Sequence, residues 1–125
     1  MKSETRRLPD AELEVMQAVW ACTPPVRRAE IEEILKNSHP MAQTTLLTLL
    51  TRLSERGFLK IEKVGRSATY VPLVTKEEFL AEQSRRFLDK LCGGSLSTFA
   101  AALCSSGLTK EEIAELRALM DEGKL

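Results

Sequence analysis

The chain has 125 residues, 43% of them apolar, and its 18 Lys/Arg are balanced by 18 Asp/Glu. That allows one domain, or one small domain with an appendage, and excludes a protein that is basic as a whole. No apolar run approaches the roughly 20 residues of a spanning helix, and Met1 to Arg7 leads into no apolar signal core, so a cytoplasmic location without membrane insertion is expected.

Taken in chain order, Pro9 and Asp10 open a first helix to about Trp20, with Leu13, Met16, Val19 and Trp20 inward. Thr23-Pro24-Pro25 stops it. A second helix spans about Arg27 to Lys36, with Ile31, Ile34 and Leu35 inward, and Asn37 to Pro40 makes the turn. The third helix, about 42–56, has two sharply different faces. Leu46, Leu49, Leu50 and Leu53 follow the i, i+3, i+4, i+7 spacing of a buried stripe, while Thr44, Thr48, Thr51, Arg52 and Glu55 occupy the opposite arc. Gly57 ends it. A β-hairpin follows, Phe58 to Glu62 and Thr69 to Val71, around a basic tip of Lys63-Val64-Gly65-Arg66. Thr75 and Glu78 predict a capping box for a fourth helix, about 76–91. After Gly93-Gly94, Ser95 caps a fifth, about 96–105; Thr109 and Glu112 box a sixth, about 110–122.

Helix, turn, helix and basic wing make a winged helix-turn-helix: a mainly α fold with a small β-hairpin wing, followed by a helical dimerisation region. The expected domains are residues 1–75 and residues 76–125. The first carries a net +2 and the second a net −2, the polarity of a DNA-facing half joined to an assembly half. Three short amphipathic helices can hardly bury a core alone, so two copies are expected to interlock through Leu80, Phe87, Leu91, Phe99, Leu103, Ile113, Leu116 and Met120. A homodimer presents two reading helices to a two-fold-symmetric operator.

The expected DNA-facing set is Gln43, Thr44, Thr45, Leu47, Thr48, Thr51 and Arg52, with Lys63 and Arg66 on the wing. Threonine hydroxyls suit phosphates or base edges, Gln43 can bond adenine bidentately, and Leu47 could touch a thymine methyl. The alternative is a solvated face with one stray leucine, and for the wing an ordinary polar hairpin. Arg27 and Arg28 oppose the dipole at the start of helix two, which fits either a backbone grip or plain solvation. His39 is the sole histidine, and Cys22, Cys92 and Cys104 form no CxxC pair. They offer neither metal-ligand spacing nor a nucleophile–base pair, so no metal, cofactor or enzymatic activity is expected.

The order of motifs resembles the penicillinase and methicillin-resistance repressors, the BlaI/MecI-type winged-helix family. The matching residues are Leu13-Glu14-Val15-Met16 through Trp20, Thr44-Thr45-Leu46, Leu49 to Leu53, Arg56-Gly57, Gly65-Arg66, Tyr70, Phe87-Leu88, Leu91, Gly93-Gly94-Ser95 and Leu108-Thr109 through Leu119. The resemblance implies a dimeric transcriptional repressor of palindromic TACA…TGTA operators. It also implies release by a membrane sensor-protease, with the scissile bond falling at Ala102-Leu103, where the family pattern is Asn-Phe. Two other readings stay open: a ligand-sensing repressor released without cleavage, and a winged-helix adaptor whose wing meets a protein.

Overall fold

The computed structural model describes residues 7–122. In chain order the elements are α1 (Asp10–Trp20), β1 (Val26–Arg27), α2 (Arg28–Ser38), α3 (Gln43–Glu55), β2 (Leu59–Val64), β3 (Ser67–Pro72), α4 (Lys76–Leu91), α5 (Leu96–Ser105) and α6 (Lys110–Asp121). This is a winged helix with a helical C-terminal region.

The leucine stripe of α3 is buried as its spacing predicts, and it packs with Val15, Met16 and Val19 of α1 and Ile31 and Leu35 of α2 in one core. Each such buried side chain stabilises the fold by about 1.5–3 kcal/mol. The end of α3 is a Schellman motif. The Phe58 amide donates to the Leu53 carbonyl at 2.9 Å and the Gly57 amide to the Ser54 carbonyl at 3.1 Å. Gly57 takes the left-handed φ of 84° that this reversal needs. Phe58 then drops into the core beside Leu53. Next to this cap, Arg56 donates to the Arg7 carbonyl at 3.2 Å and lies 3.6 Å from the buried carboxylate of Glu12. That link ties the start of α1 to the end of α3, and nothing in the apolar periodicity of α1 announced it.

The hairpin is longer than its sequence suggested. Strands β2 and β3 pair from Leu59↔Pro72 through to Val64↔Ser67, so Lys63 and Val64 belong to the strand and only Gly65 and Arg66 turn. Gly65 has φ 62°, and no described non-glycine residue has a positive φ. This is the pattern of a type II′ turn, whose twist matches that of the strands. The sequence reading also missed β1, which is too short to show alternation. Its residues Val26 and Arg27 pair with Tyr70 and Thr69, giving the sheet order β1-β3-β2. In consequence α2 starts at Arg28 rather than Arg27.

Trp20 is half-buried and donates its indole N–H to the Val74 carbonyl at 2.8 Å. Its ring lies 5.5 Å from Phe79, which also meets Phe58 edge-on at 6.0 Å. The chain divides into two compact units within α4, after Gln83. In the second unit Ser95 caps α5 by accepting from the Thr98 amide, and Thr109 and Glu112 cap α6 reciprocally. The Phe87 and Phe99 rings pack edge-on at 5.5 Å. No residue of α5 or α6 is buried. Leu91, Leu96 and Met120 expose 73%, 68% and 60% of their surface, which leaves much apolar area in water.

A Cβ added at Gly57 meets nothing within 4 Å, so the cost of substitution there is conformational alone. Gly57→Ala is expected to lower stability by about 1–2 kcal/mol in urea denaturation, with Gly57→Asn losing less. An unchanged midpoint for the alanine variant would remove the cap from the account.

Candidate nucleic-acid interface

The buried stripe of α3 leaves its other side to solvent. Gln43, Thr44, Thr45, Leu47, Thr48, Thr51 and Arg52 are all exposed. At the start of the helix, Ala42 supplies no capping side chain and no acidic residue lies in the first turn. By contrast α4 and α6 each begin with two glutamates and a capping threonine. The first amides of α3 therefore face outward without a side-chain acceptor, and the dipole there favours a negative group. Further along, the Thr48 hydroxyl donates to the Thr44 carbonyl and the Thr51 hydroxyl to the Leu47 carbonyl, both at 3.0 Å.

One edge of this face forms the wall of a groove of about 400 Å³. Leu47, Leu50 and Thr51 of α3 line one side, and Ile61, Lys63, Arg66, Ser67, Ala68 and Tyr70 of the wing line the other. Arg27 and Arg28 close its end, held there because β1 anneals to β3 immediately before α2 begins. Four cations thus share one groove. Arg27 and Arg28 are engaged with Glu30 and Glu32, at 3.9 Å and 3.2 Å. Lys63, Arg66 and, on the far flank of α3, Arg52 have no ion pair or hydrogen bond among the described residues. The remaining wing cation, Lys60, is neutralised by Glu62 at 2.9 Å on the opposite face of the hairpin. Free positive charge therefore sits on the side of α3 and of the groove, in a chain whose net charge is zero.

Tyr70 is 4% exposed at the floor of the groove. Burial pushes its phenol above the ordinary range, and the Arg28 guanidinium pulls it part of the way back. Burial, with Glu30 nearby, also raises the Cys22 thiol, which favours its protonated form.

The expected residues do not all meet. Leu47, Thr51, Lys63 and Arg66 share the groove, whereas Gln43 lines a separate hollow with Glu32, Lys36, Pro40 and Met41 beneath the turn. Thr45 and Arg52, two helical turns apart, share the flank of α3 that the helical rotation turns away from the groove-lining Leu47 and Thr51. Arg27, Arg28 and Tyr70 were missing from the expected set. The one sequence signal for the two arginines was a pair of cations placed against a helix dipole.

Together, α3, the turn before it and the cationic hairpin after it define a winged helix-turn-helix protein. Residues 8–122 match the penicillinase repressor family, and the chain belongs to that family of transcriptional repressors, which are not enzymes. It is 31% identical over 119 residues to the penicillinase repressor of Bacillus licheniformis, spanning 94% of this chain and 92% of that protein. It is 28% identical over 123 residues to the methicillin resistance regulatory protein MecI of Staphylococcus aureus, spanning 98% and 99%. Among solved structures, monomeric B. licheniformis BlaI in complex with the blaP half-operator superposes with a TM-score of 0.50 at 31% identity. It covers 62% of this chain and 93% of that one. The DNA-binding domain of the repressor BlaI gives 0.51 over the same shares at 31% identity. No described helix is long and apolar enough to cross a membrane.

Tyr70 is the only tyrosine, so ultraviolet phenolate absorbance reads it alone. Its midpoint is expected above that of free tyrosine, and higher again in Arg28→Gln, where the opposing charge is gone. Because the folded value is raised, the buried phenol's contribution to stability is complete below the unfolded value and is lost as pH rises through the folded one. A midpoint equal to that of the unfolded chain would show the ring to be solvated.

Proposed function

We propose that this chain is a dimeric, sequence-specific transcriptional repressor that binds a palindromic double-stranded operator. The observation that carries the reading is the groove in which Arg27, Arg28, Lys63 and Arg66 converge on the outer face of α3. In this reading α3 enters the major groove. Gln43, Thr44, Thr45, Leu47, Thr48 and Thr51 approach base edges or nearby phosphates, while Arg52, Lys63 and Arg66 grip the backbone. The half-operator complex of the B. licheniformis relative, matched at 31% identity, supports it.

Residues 1–75 read the operator in this account, and residues 76–125 join two copies. The support is the surplus of apolar surface. Leu80, Phe87, Leu91 and Met120 are exposed, Phe99, Leu103, Ile113 and Leu116 are only half-buried, and α5 and α6 bury nothing by themselves. Pairing raises the effective concentration of the second reading helix once the first has bound. Release by a membrane sensor-protease at Ala102-Leu103 completes the proposal. Ala102 is exposed and the bond lies within α5, so a cut there would split the dimerisation unit and leave the reading helix untouched.

The test is a salt titration on a TACA…TGTA palindrome and on a scrambled duplex. Selective binding that weakens steeply with salt is expected, and Lys63→Ala and Arg66→Ala should each reduce the salt slope by about one. Arg52→Ala should bind more weakly with its fold intact. Weak, salt-insensitive and equal binding to both duplexes would move the assignment to a protein-binding wing. Leu103→Asp is expected to sediment as a monomer and to lose operator affinity in parallel. A tight dimer in that variant would overturn the assembly account.

A further inference from the structure

Accepting that α3 reads operator DNA, we infer that Leu47 is a specificity-determining residue that recognises thymine through its C5-methyl group. Leu47 exposes 37% of its surface in the middle of a helix whose other leucines are all buried. No packing requirement of the monomer keeps it apolar. It lines the groove facing the wing together with Thr51.

The neighbouring threonines reinforce the apolar character of this strip. Each spends its O–H on a helix carbonyl four residues back, which fixes its rotamer. What Thr48 and Thr51 then offer outward is a methyl group and oxygen lone pairs, with no donor to spare. Arg52, the one guanidinium of α3, lies about 140° from Leu47 around the helix axis and cannot serve the same base pair. The strip Leu47–Thr48–Thr51 therefore lacks the donors that recognise guanine. In the major groove the one apolar substituent on any base is the thymine methyl. Packing the isobutyl group of Leu47 against it buries apolar surface on both partners, whereas any other base edge would be desolvated by Leu47 without return.

The experiment starts from the duplex that the purified full chain selects from a randomised pool. Each thymine is then replaced singly by deoxyuridine, which removes the C5-methyl and leaves the pairing edge unchanged. At one or two thymines per half-site, uracil should weaken wild-type binding about fourfold, the worth of one buried carbon group. Leu47→Ala should bind the thymine and uracil forms of that site equally. Uracil tolerated at every position in a selective binder would overturn the inference. So would a uracil penalty of the same size in Leu47→Ala, which would assign the methyl contact to the threonines. A pool that yields no preferred duplex would instead defeat the operator-binding reading itself, and this inference with it. Leu47 is exposed, so its truncation leaves the core intact, and the wild-type uracil scan stands without any variant.

Discussion

Burial of Leu46, Leu49, Leu50 and Leu53 in a single stripe is the constraint on which the rest of the structure depends. A helix has one rotation about its own axis that hides four leucines, and choosing it fixes every other side chain of α3. The polar arc is exposed because its opposite cannot be. The same stripe sets where the helix must end, since Phe58 can reach the core beside Leu53 only if the chain reverses at Gly57. That reversal aims β2, and the hairpin carries Lys63 and Arg66 back toward the face the leucines left outside.

Charge is organised on the same scaffold. The chain is neutral overall, and several cations are neutralised nearby: Lys36 by Glu33, Arg56 by Glu12, Lys60 by Glu62 and Arg85 by Asp89. Those pairs that are exposed at both ends, all but Arg56–Glu12, add little to stability, on the order of 0–1 kcal/mol. Their larger effect is on the field, because they leave Arg52, Lys63 and Arg66 as uncompensated charges on the side of α3 and of the groove. A local field of this kind is invisible to a net-charge count.

Much of this was legible in the sequence, and the limits of legibility have physical causes. The α3 stripe, the Gly57 stop and the Thr75/Glu78 and Thr109/Glu112 capping boxes are local patterns of a few residues, and all form as read. The two-residue strand β1 is not local. Val26 becomes a strand only because Tyr70, 44 residues later, offers a free edge, and no periodicity fits in two residues. The placement of Arg27 and Arg28 at the end of the groove follows from that long-range pairing, so their role stayed undecided until the sheet was known. The Glu12–Arg56 link was hidden for a similar reason. A carboxylate on an otherwise apolar face reads as solvent-facing until its distant partner is seen.

Trp20 has a practical consequence of its own. It is the chain's single tryptophan, and it is clamped between the Val74 carbonyl and the Phe79 ring, where the wing gives way to α4. The molecule therefore carries an intrinsic optical probe at this one junction. Any event that pries the start of α4 from the winged unit wets the indole and shifts its emission to the red, whereas rearrangements confined to the hairpin tip leave its colour unchanged.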